Sequence, residues 1–196
     1  MESAAQAIGS AIEQFDKSAT LWLNQQHCTV SDHVWIVFSN KYIWIALYAV
    51  VVYMLFRRLG WRKALWAILA IAMTILACDQ FSNVIKDWVC RYRPTHDSWM
   101  LERGLNILDG YGGKYGFFSA HAANAFGFAI SSLLIFRTDT SHTYKPYAWG
   151  IMVWAAMVSL SRVFVGRHFL GDILVGSAVG LLVGYIFALI YDRITS

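Results

Sequence analysis

No charged side chain occurs between Ile173 and Tyr191. A run of that length is close to the roughly 20 residues a helix needs to cross about 30 Å of hydrocarbon, and it leaves few folds open. Four more stretches approach the same length: about Trp35 to Phe56, Ala64 to Ile85, Ser119 to Phe136 and Tyr147 to Leu160. None alternates apolar and polar residues as a barrel strand must. Hydrophobic residues make up 58% of the chain and charged ones 14%, where an ordinary soluble domain is about a quarter charged. The expectation is an all-α integral membrane protein, a helical bundle of about five transmembrane helices.

Ahead of the first span, Ile8, Ile12, Phe15, Ala19 and Trp22 recur at spacings of four and three. They share one helical face, opposite Glu13, Asp16 and Lys17. Residues 1–30 therefore read as an amphipathic interfacial helix, with a solvent-exposed cap on the bundle as the alternative, residues 31–191 as the transmembrane bundle, and 1–196 as one domain. The first lysine is Lys17, so no basic segment opens the chain and the N-terminus is expected to be retained. The short basic turn from Arg57 to Lys63 makes a hairpin of the first two spans. Between the second and third spans lies the longest polar stretch, 91–117, rich in glycine and expected to be a structured loop. Gly176, Gly180 and Gly184 recur every fourth residue in the last span and predict a close helix contact, inside the bundle in preference to a dimer interface. Cys28, Cys78 and Cys90 have no metal-ligand spacing and read as free thiols, with a single Cys28–Cys90 bridge as the alternative if both face an oxidising compartment. The formal charge of +4 fits loops and anionic headgroups; nucleic acid is not an expected partner.

Alternation of the spans brings one set of polar residues to a single membrane face. Lys86 closes the second span and is followed, after six residues, by Arg93-Pro94. Ser119-Ala120-His121 opens the third. Ser161-Arg162 ends the fourth, His168 follows after five residues, and Asp172 stands four further on. These segments, KDWVCRYRP, FSAH and SRVFVGRHFLGD, resemble the three-part signature of the type-2 phosphatidic acid phosphatase family, over about residues 30 to 191. The first and third parts are complete. The middle part departs from the family's proline-serine-glycine-histidine, with Phe118 for proline and Ala120 for glycine. That substitution bears on the local backbone, because alanine disfavours positive φ. The resemblance implies a membrane lipid phosphatase that works through a phosphohistidine.

The residues support the same chemistry on physical grounds. A transferring phosphoryl group spreads negative charge over three oxygens and needs fixed donors around it. Lys86, Arg93 and Arg162 supply cations, Ser119 a hydroxyl, and a helix starting there would add free N–H groups. His168 and Asp172 stand one helical turn apart, so the carboxylate can take the Nδ1 proton and leave Nε2 as the nucleophile. His121, from another span, is expected to donate a proton to the leaving oxygen. No cofactor is expected, and no metal, since the cations are not accompanied by a carboxylate cluster or a set of metal-spaced ligands. His27, His33, His96 and His142 read as structural, and Arg91 and Arg167 as contacts of the substrate or of lipid headgroups, the reading leaning to headgroups. Asp79 would cost about 3 kcal/mol facing lipid at the midplane, so it must face protein.

The family's substrates are phosphatidic acid, phosphatidylglycerophosphate, polyprenyl diphosphate and lipid A phosphate. Among these the reading leans to a polyprenyl diphosphate or a phospholipid phosphate. A lipid phosphotransferase is the alternative, a non-catalytic transporter a weaker one, and the oligomeric state is left open. Nine of the 16 lysines and arginines fall on the site's face, but several are committed to phosphate, and the Arg57–Lys63 turn opposite is the densest short loop. With the family resemblance added, the expected location is a bacterial inner membrane, with the site on the outer or periplasmic face.

Overall fold

The computed structural model describes the backbone of residues 2–196 and the side chains from residue 6 onward. Its helices are α1 (Glu2–Asn24), α2 (Thr29–Ser39), α3 (Ile45–Val89), α4 (Ser98–Glu102), α5 (Ala120–Phe136), α6 (Lys145–Phe164) and α7 (Leu170–Thr195), with a 3-10 turn at Pro94–His96. Among the described residues the only β-type pairing is an isolated bridge between Tyr92 and Tyr115. Helices α3, α6 and α7 are long and apolar enough to cross a membrane, and α5 is a shorter apolar helix.

Straight, the 45 residues of α3 would extend about 68 Å, twice the hydrocarbon thickness. The helix instead folds at Gly60, whose φ of 75° and ψ of 164° suit a residue without a Cβ. Both of its legs return to one side: Ile45 and Tyr48 share a cavity with Asp79 and Lys86. At the other end Arg58 donates to His142 (2.5 Å), and Lys63 lies beside Arg137, Thr138 and Ser196. This is the expected hairpin, and with α5, α6 and α7 it makes five apolar legs.

The first span differs from its expected continuous course over 35–56. Helix α2 stops at Ser39, and residues 40–44 form a turn before α3 begins. Asn40 makes the break: its N–H bonds to the carbonyls of Ile36 and Val37, while its side-chain oxygen accepts the Tyr42 N–H (3.0 Å). An asparagine that hydrogen-bonds its own backbone in this way competes with helix continuation. Helix α2 is held instead against α6, where the Trp35 ring stacks on Phe164 at 4.1 Å.

Helix α5 sits among α3, α6 and α7, and α7 approaches it through the glycine stripe. A Cβ on Gly176 would lie 2.5 Å from the Ser119 carbonyl oxygen, one on Gly180 2.2 Å from that of Ala123, and one on Gly184 2.5 Å from that of Gly127. The expected close contact therefore lies within the bundle. Val51, Leu55, Ala67, Phe128, Ile151 and Trp154 fill the core beside it, and large apolar side chains such as Trp149, Leu174 and Leu182 cover the outside. An apolar exterior of that extent belongs in lipid, where contact density between helices replaces the hydrophobic effect as the source of cohesion.

Helix α1 is amphipathic as expected, but its polar face grips the protein and its apolar face turns outward. Phe15 is 73% exposed, and Ile8, Ile12 and Trp22 are each above 60%. On the inner side Lys17 pairs with Asp97 (2.9 Å), and Thr20 Oγ1 accepts the Leu170 N–H (2.8 Å). Asn24, fully buried, donates to the carbonyls of Asn106, Val163 and Phe164 and accepts the Asn106 N–H (2.7 Å). A helix so arranged suits the membrane interface, one side in the headgroup region and the other on the protein. All three cysteines are free thiols.

Candidate active site

Each sequence-predicted residue lies at a helix end or in the loop beside it. Lys86 is in the last turn of α3, Arg162 in the last turn of α6, and Arg93 precedes the 3-10 turn. Ser119 is the extended N-cap of α5, with its Oγ accepting the Ala122 N–H (3.4 Å). Ala120 is already helical, so positive φ is not required where the family pattern has glycine. Lys86, Arg93, His121, Arg162 and His168 all line one cavity of about 540 Å³. Ala120 and His121, the first two residues of α5, line it too, so the positive end of that helix opens on the cavity. Ser119 and Asp172 are fully buried behind the lining.

The segment between α6 and α7 carries His168. Asp172, in the first turn of α7, places Oδ2 3.3 Å from His168 Nδ1, and the same oxygen accepts the Phe169 N–H at 3.1 Å. The other oxygen accepts from Arg91 Nη1 at 2.8 Å. Burial pushes His168 well below the ordinary imidazole range, and the positive charges of Arg93, Arg162, Lys86 and Arg167 push the same way. Its ring is neutral at neutral pH. A neutral ring that gives its Nδ1 proton to a carboxylate presents Nε2 with a free lone pair.

Lys41, Lys86, Arg93, Arg162 and Arg167 line the cavity against a single lining carboxylate, Asp79. Among the described residues neither Lys86 nor Arg93 has a carboxylate within ion-pair distance. Arg93 Nε donates to the Tyr115 carbonyl (3.0 Å), and burial lowers the guanidinium's pKa, with Arg167 adding to the effect. Arg162 is 2% exposed; it donates to Ser39 and, at 3.3 Å, to Asp109. A cluster of cations around one cavity, with Arg162 buried and Lys86, Arg93 and Arg167 half-buried, and this poor in counter-charge, is a site for an anion.

Two arginines, read as contacts of substrate or headgroups with a lean to headgroups, both turn to the protein. Arg167 lines the cavity, donates to the Gly110 carbonyl (3.1 Å) and lies 3.7 Å from Asp109. Arg91 turns inward to two carboxylates, Asp172 and Asp16. Asp16 and Asp109 were not singled out by the motifs. The signal for Asp109 was an acid within the glycine-rich loop, and for Asp16 its place on the polar face of α1. The other histidines stay outside the cavity: His33 bonds the Thr29 carbonyl, His27 pairs with Asp32, and His142 lies with Asp139 and Arg58. His96 bonds Thr95. Deeper in the membrane the cavity continues past Tyr48, Ile75 and Trp154, where Asp79 accepts from Asn124 (2.8 Å). Asp79 faces protein, as its cost in lipid requires. Among the described residues no group of three or more His, Cys, Asp or Glu side chains is placed to hold a metal ion.

Comparison with known proteins places the chain among lipid phosphatases. The chain is 32% identical over 187 residues to a lipid A 4'-phosphatase of Bacteroides thetaiotaomicron, covering 94% of this chain and 80% of that one. It is 32% identical over 181 residues to a lipid A 4'-phosphatase of Porphyromonas gingivalis, covering 92% and 74%. Its fold resembles that of a transmembrane PAP2-type phosphatidylglycerolphosphate phosphatase from Bacillus subtilis, with a TM-score of 0.74 at 19% identity over 94% of this chain and 88% of that one. It also resembles LpxE of Aquifex aeolicus, with a TM-score of 0.62 at 20% identity over 87% and 92%. The family described as the PAP2 superfamily matches residues 63–196, and with those relatives beside it the chain belongs to the PAP2 superfamily.

Proposed function

We propose that this membrane lipid phosphatase removes a phosphate monoester from a lipid A-type saccharolipid through a phosphohistidine on His168, and that residues 1–196 act as one catalytic domain. The observation that carries the chemistry is the convergence of Lys86, Arg93, Arg162, His121 and His168 on one positively charged cavity, with Asp172 on the far nitrogen of His168. The substrate is argued from the two curated relatives, both lipid A 4'-phosphatases. They favour lipid A phosphate over the polyprenyl diphosphate or phospholipid phosphate to which the sequence leaned.

The cations Lys86, Arg93 and Arg162, joined by Arg167 and the N-terminal end of α5, hold the phosphoryl oxygens and stabilise the charge that spreads over them. Ser119 shapes that end as its N-cap. His168 Nε2 forms a bond to phosphorus as the bond to the lipid oxygen breaks, and His121 delivers a proton to that oxygen. Asp172 holds the Nδ1 proton and steadies the charge on the ring. Water deprotonated by His121 then opens the N–P bond and releases inorganic phosphate. Vanadate, which takes up the five-coordinate geometry of the transition state, inhibits by filling the same cradle; EDTA leaves activity intact.

The site is assigned to the outer face of a bacterial inner membrane. The basic turn near Gly60, the loop between α5 and α7's neighbour α6, and the C-terminus share the opposite end and are assigned to the cytoplasm. A cysteine at Thr138 that labels with an impermeant reagent in intact cells overturns that orientation.

Purified protein in detergent, offered lipid A, phosphatidylglycerophosphate, phosphatidic acid and a polyprenyl diphosphate, is expected to release phosphate fastest from lipid A. A higher kcat/KM for one of the others overturns the substrate assignment. Radiolabelled phosphate recovered on a second lipid in place of free phosphate makes the protein a phosphotransferase.

A further inference from the structure

The N-terminal helix lies outside the signature segments, yet one of its residues is three contacts from the histidine. Asp16 Oδ2 accepts from Arg91 Nη2 at 2.6 Å, and Arg91 Nη1 donates to Asp172 Oδ1 at 2.8 Å. Asp172 uses its other oxygen for His168 Nδ1 (3.3 Å) and the Phe169 N–H (3.1 Å). Asp16 Oδ1 also accepts the N–H of Gly171 at 2.7 Å, next in the chain to Asp172. The fit is tight, since a Cβ on Gly171 would lie 2.8 Å from Asp16 Oδ2. The guanidinium is further held over the Phe169 ring, 4.2 Å from its centroid.

We propose that Asp16 is a positioning residue for catalysis, engaging one arm of Arg91 so that Asp172 keeps Oδ2 for His168. This inference rests on the reading of His168 as nucleophile. A guanidinium is a planar fork that pairs readily with both oxygens of one carboxylate. With a carboxylate on either side, Arg91 spans the two and gives one arm to each. Removing Asp16 frees the second arm to compete for Oδ2, and the hydrogen bond that orients the imidazole is drawn off. The N–H of Gly171 loses its acceptor in the same change, which loosens the first turn of α7 where Asp172 stands. Helix α1 thereby becomes part of the catalytic apparatus, although its apolar face is turned to the lipid interface.

The test is a double-mutant cycle on full-length protein in detergent, with kcat and KM measured for lipid A and melting recorded for each variant. Asp16→Ala and Arg91→Ala are each expected to lower kcat about 10- to 100-fold, the usual size of effect for removing a group that orients a reactive residue. KM should stay within roughly twofold, because neither residue lines the cavity. The Asp16→Asn/Arg91→Ala double variant, which keeps the acceptor for Gly171, should be no slower than Arg91→Ala, since the charge of Asp16 acts through Arg91. Asp16→Asn keeps an acceptor for Gly171 and removes the charge, so it carries the test if Asp16→Ala melts early. Lys17→Ala, which cuts the ion pair of α1 with Asp97, should leave kcat unchanged. The proposal is overturned by wild-type kcat in Asp16→Asn, by losses that multiply in the double variant, or by an equal loss in Lys17→Ala. His168→Ala run alongside separates the two claims. Activity there removes the nucleophile assignment, whereas an inactive His168→Ala beside a fully active Asp16→Asn removes only the role of Asp16.

Discussion

Asp172 Oδ2 stands 3.3 Å from His168 Nδ1, with both side chains almost wholly removed from solvent. Burial of this kind makes the tautomer a property of the pair. Asp172→Asn presents an amide where the imidazole needs an acceptor, and an amide turned N–H outward faces a ring forced into the wrong tautomer. The expected loss in kcat is about 10³–10⁴-fold, with KM little changed. Steady-state kinetics on lipid A check it, and a loss under tenfold contradicts the orienting role.

His168 protonates well below the ordinary value of 6.5, through burial first and the surrounding cations second. A protonated His168 has no lone pair for phosphorus, so activity falls as pH drops through that depressed value. The acid limb of kcat/KM should therefore lie below pH 6.5. Arg93→Gln removes one of the charges that oppose protonation, so the pKa rises and the limb moves to higher pH. A pH profile of each protein reads this directly; a limb unmoved or moved downward in Arg93→Gln counts against it.

His121 is assigned the proton that a departing lipid alkoxide needs and that nitrophenolate does not. His121→Ala should lose about 10²–10⁴-fold on a phosphomonoester lipid. It should lose far less in the first step on p-nitrophenyl phosphate. Stopped-flow traces should show a burst of nitrophenol and then slow turnover, because water attack on the phosphohistidine also uses His121. Equal loss of the burst rate with both leaving groups would make His121 a phosphate-binding residue.

The glycine stripe of α7 predicts stability as well as packing. Gly180→Ala puts a Cβ 2.2 Å from the Ala123 carbonyl oxygen, and the helices must part at a cost of about 1–3 kcal/mol. Melting in detergent should fall by about 5 °C. Gly150→Ala, on α6 with nothing within 4 Å of the new Cβ, should hold or raise the melting temperature, since alanine is the better helix former. A similar drop in both variants argues against the contact as the cause.

Much of this architecture is legible in the amino-acid order because the bilayer demands long uncharged runs, and spacing then fixes which ends of those runs meet. Lys86, Arg93, His121, Arg162 and His168 were found by that logic and share one cavity. The break at Asn40 was not visible, since a local side-chain-to-backbone bond in residues 40–44 outweighs a run that is apolar on average. For Arg91 and Arg167 the local order leaves substrate and headgroups both open and leans to headgroups, whereas Arg167 lines the cavity and Arg91 pairs with two carboxylates. A basic residue near the interface has two homes, lipid headgroups or a carboxylate, and the choice depends on partners distant in sequence. Asp16 and Asp172 lie 75 and 81 residues from Arg91, beyond the reach of any local pattern.

The central claim is covalent catalysis by His168, and trapping the intermediate tests it most directly. Wild-type protein mixed with radiolabelled lipid A, quenched rapidly without acid and digested, should carry acid-labile phosphate on the peptide that contains His168. His168→Ala should carry none and should release no phosphate. Label on a different residue of the wild type, or substantial turnover by His168→Ala, would contradict the account.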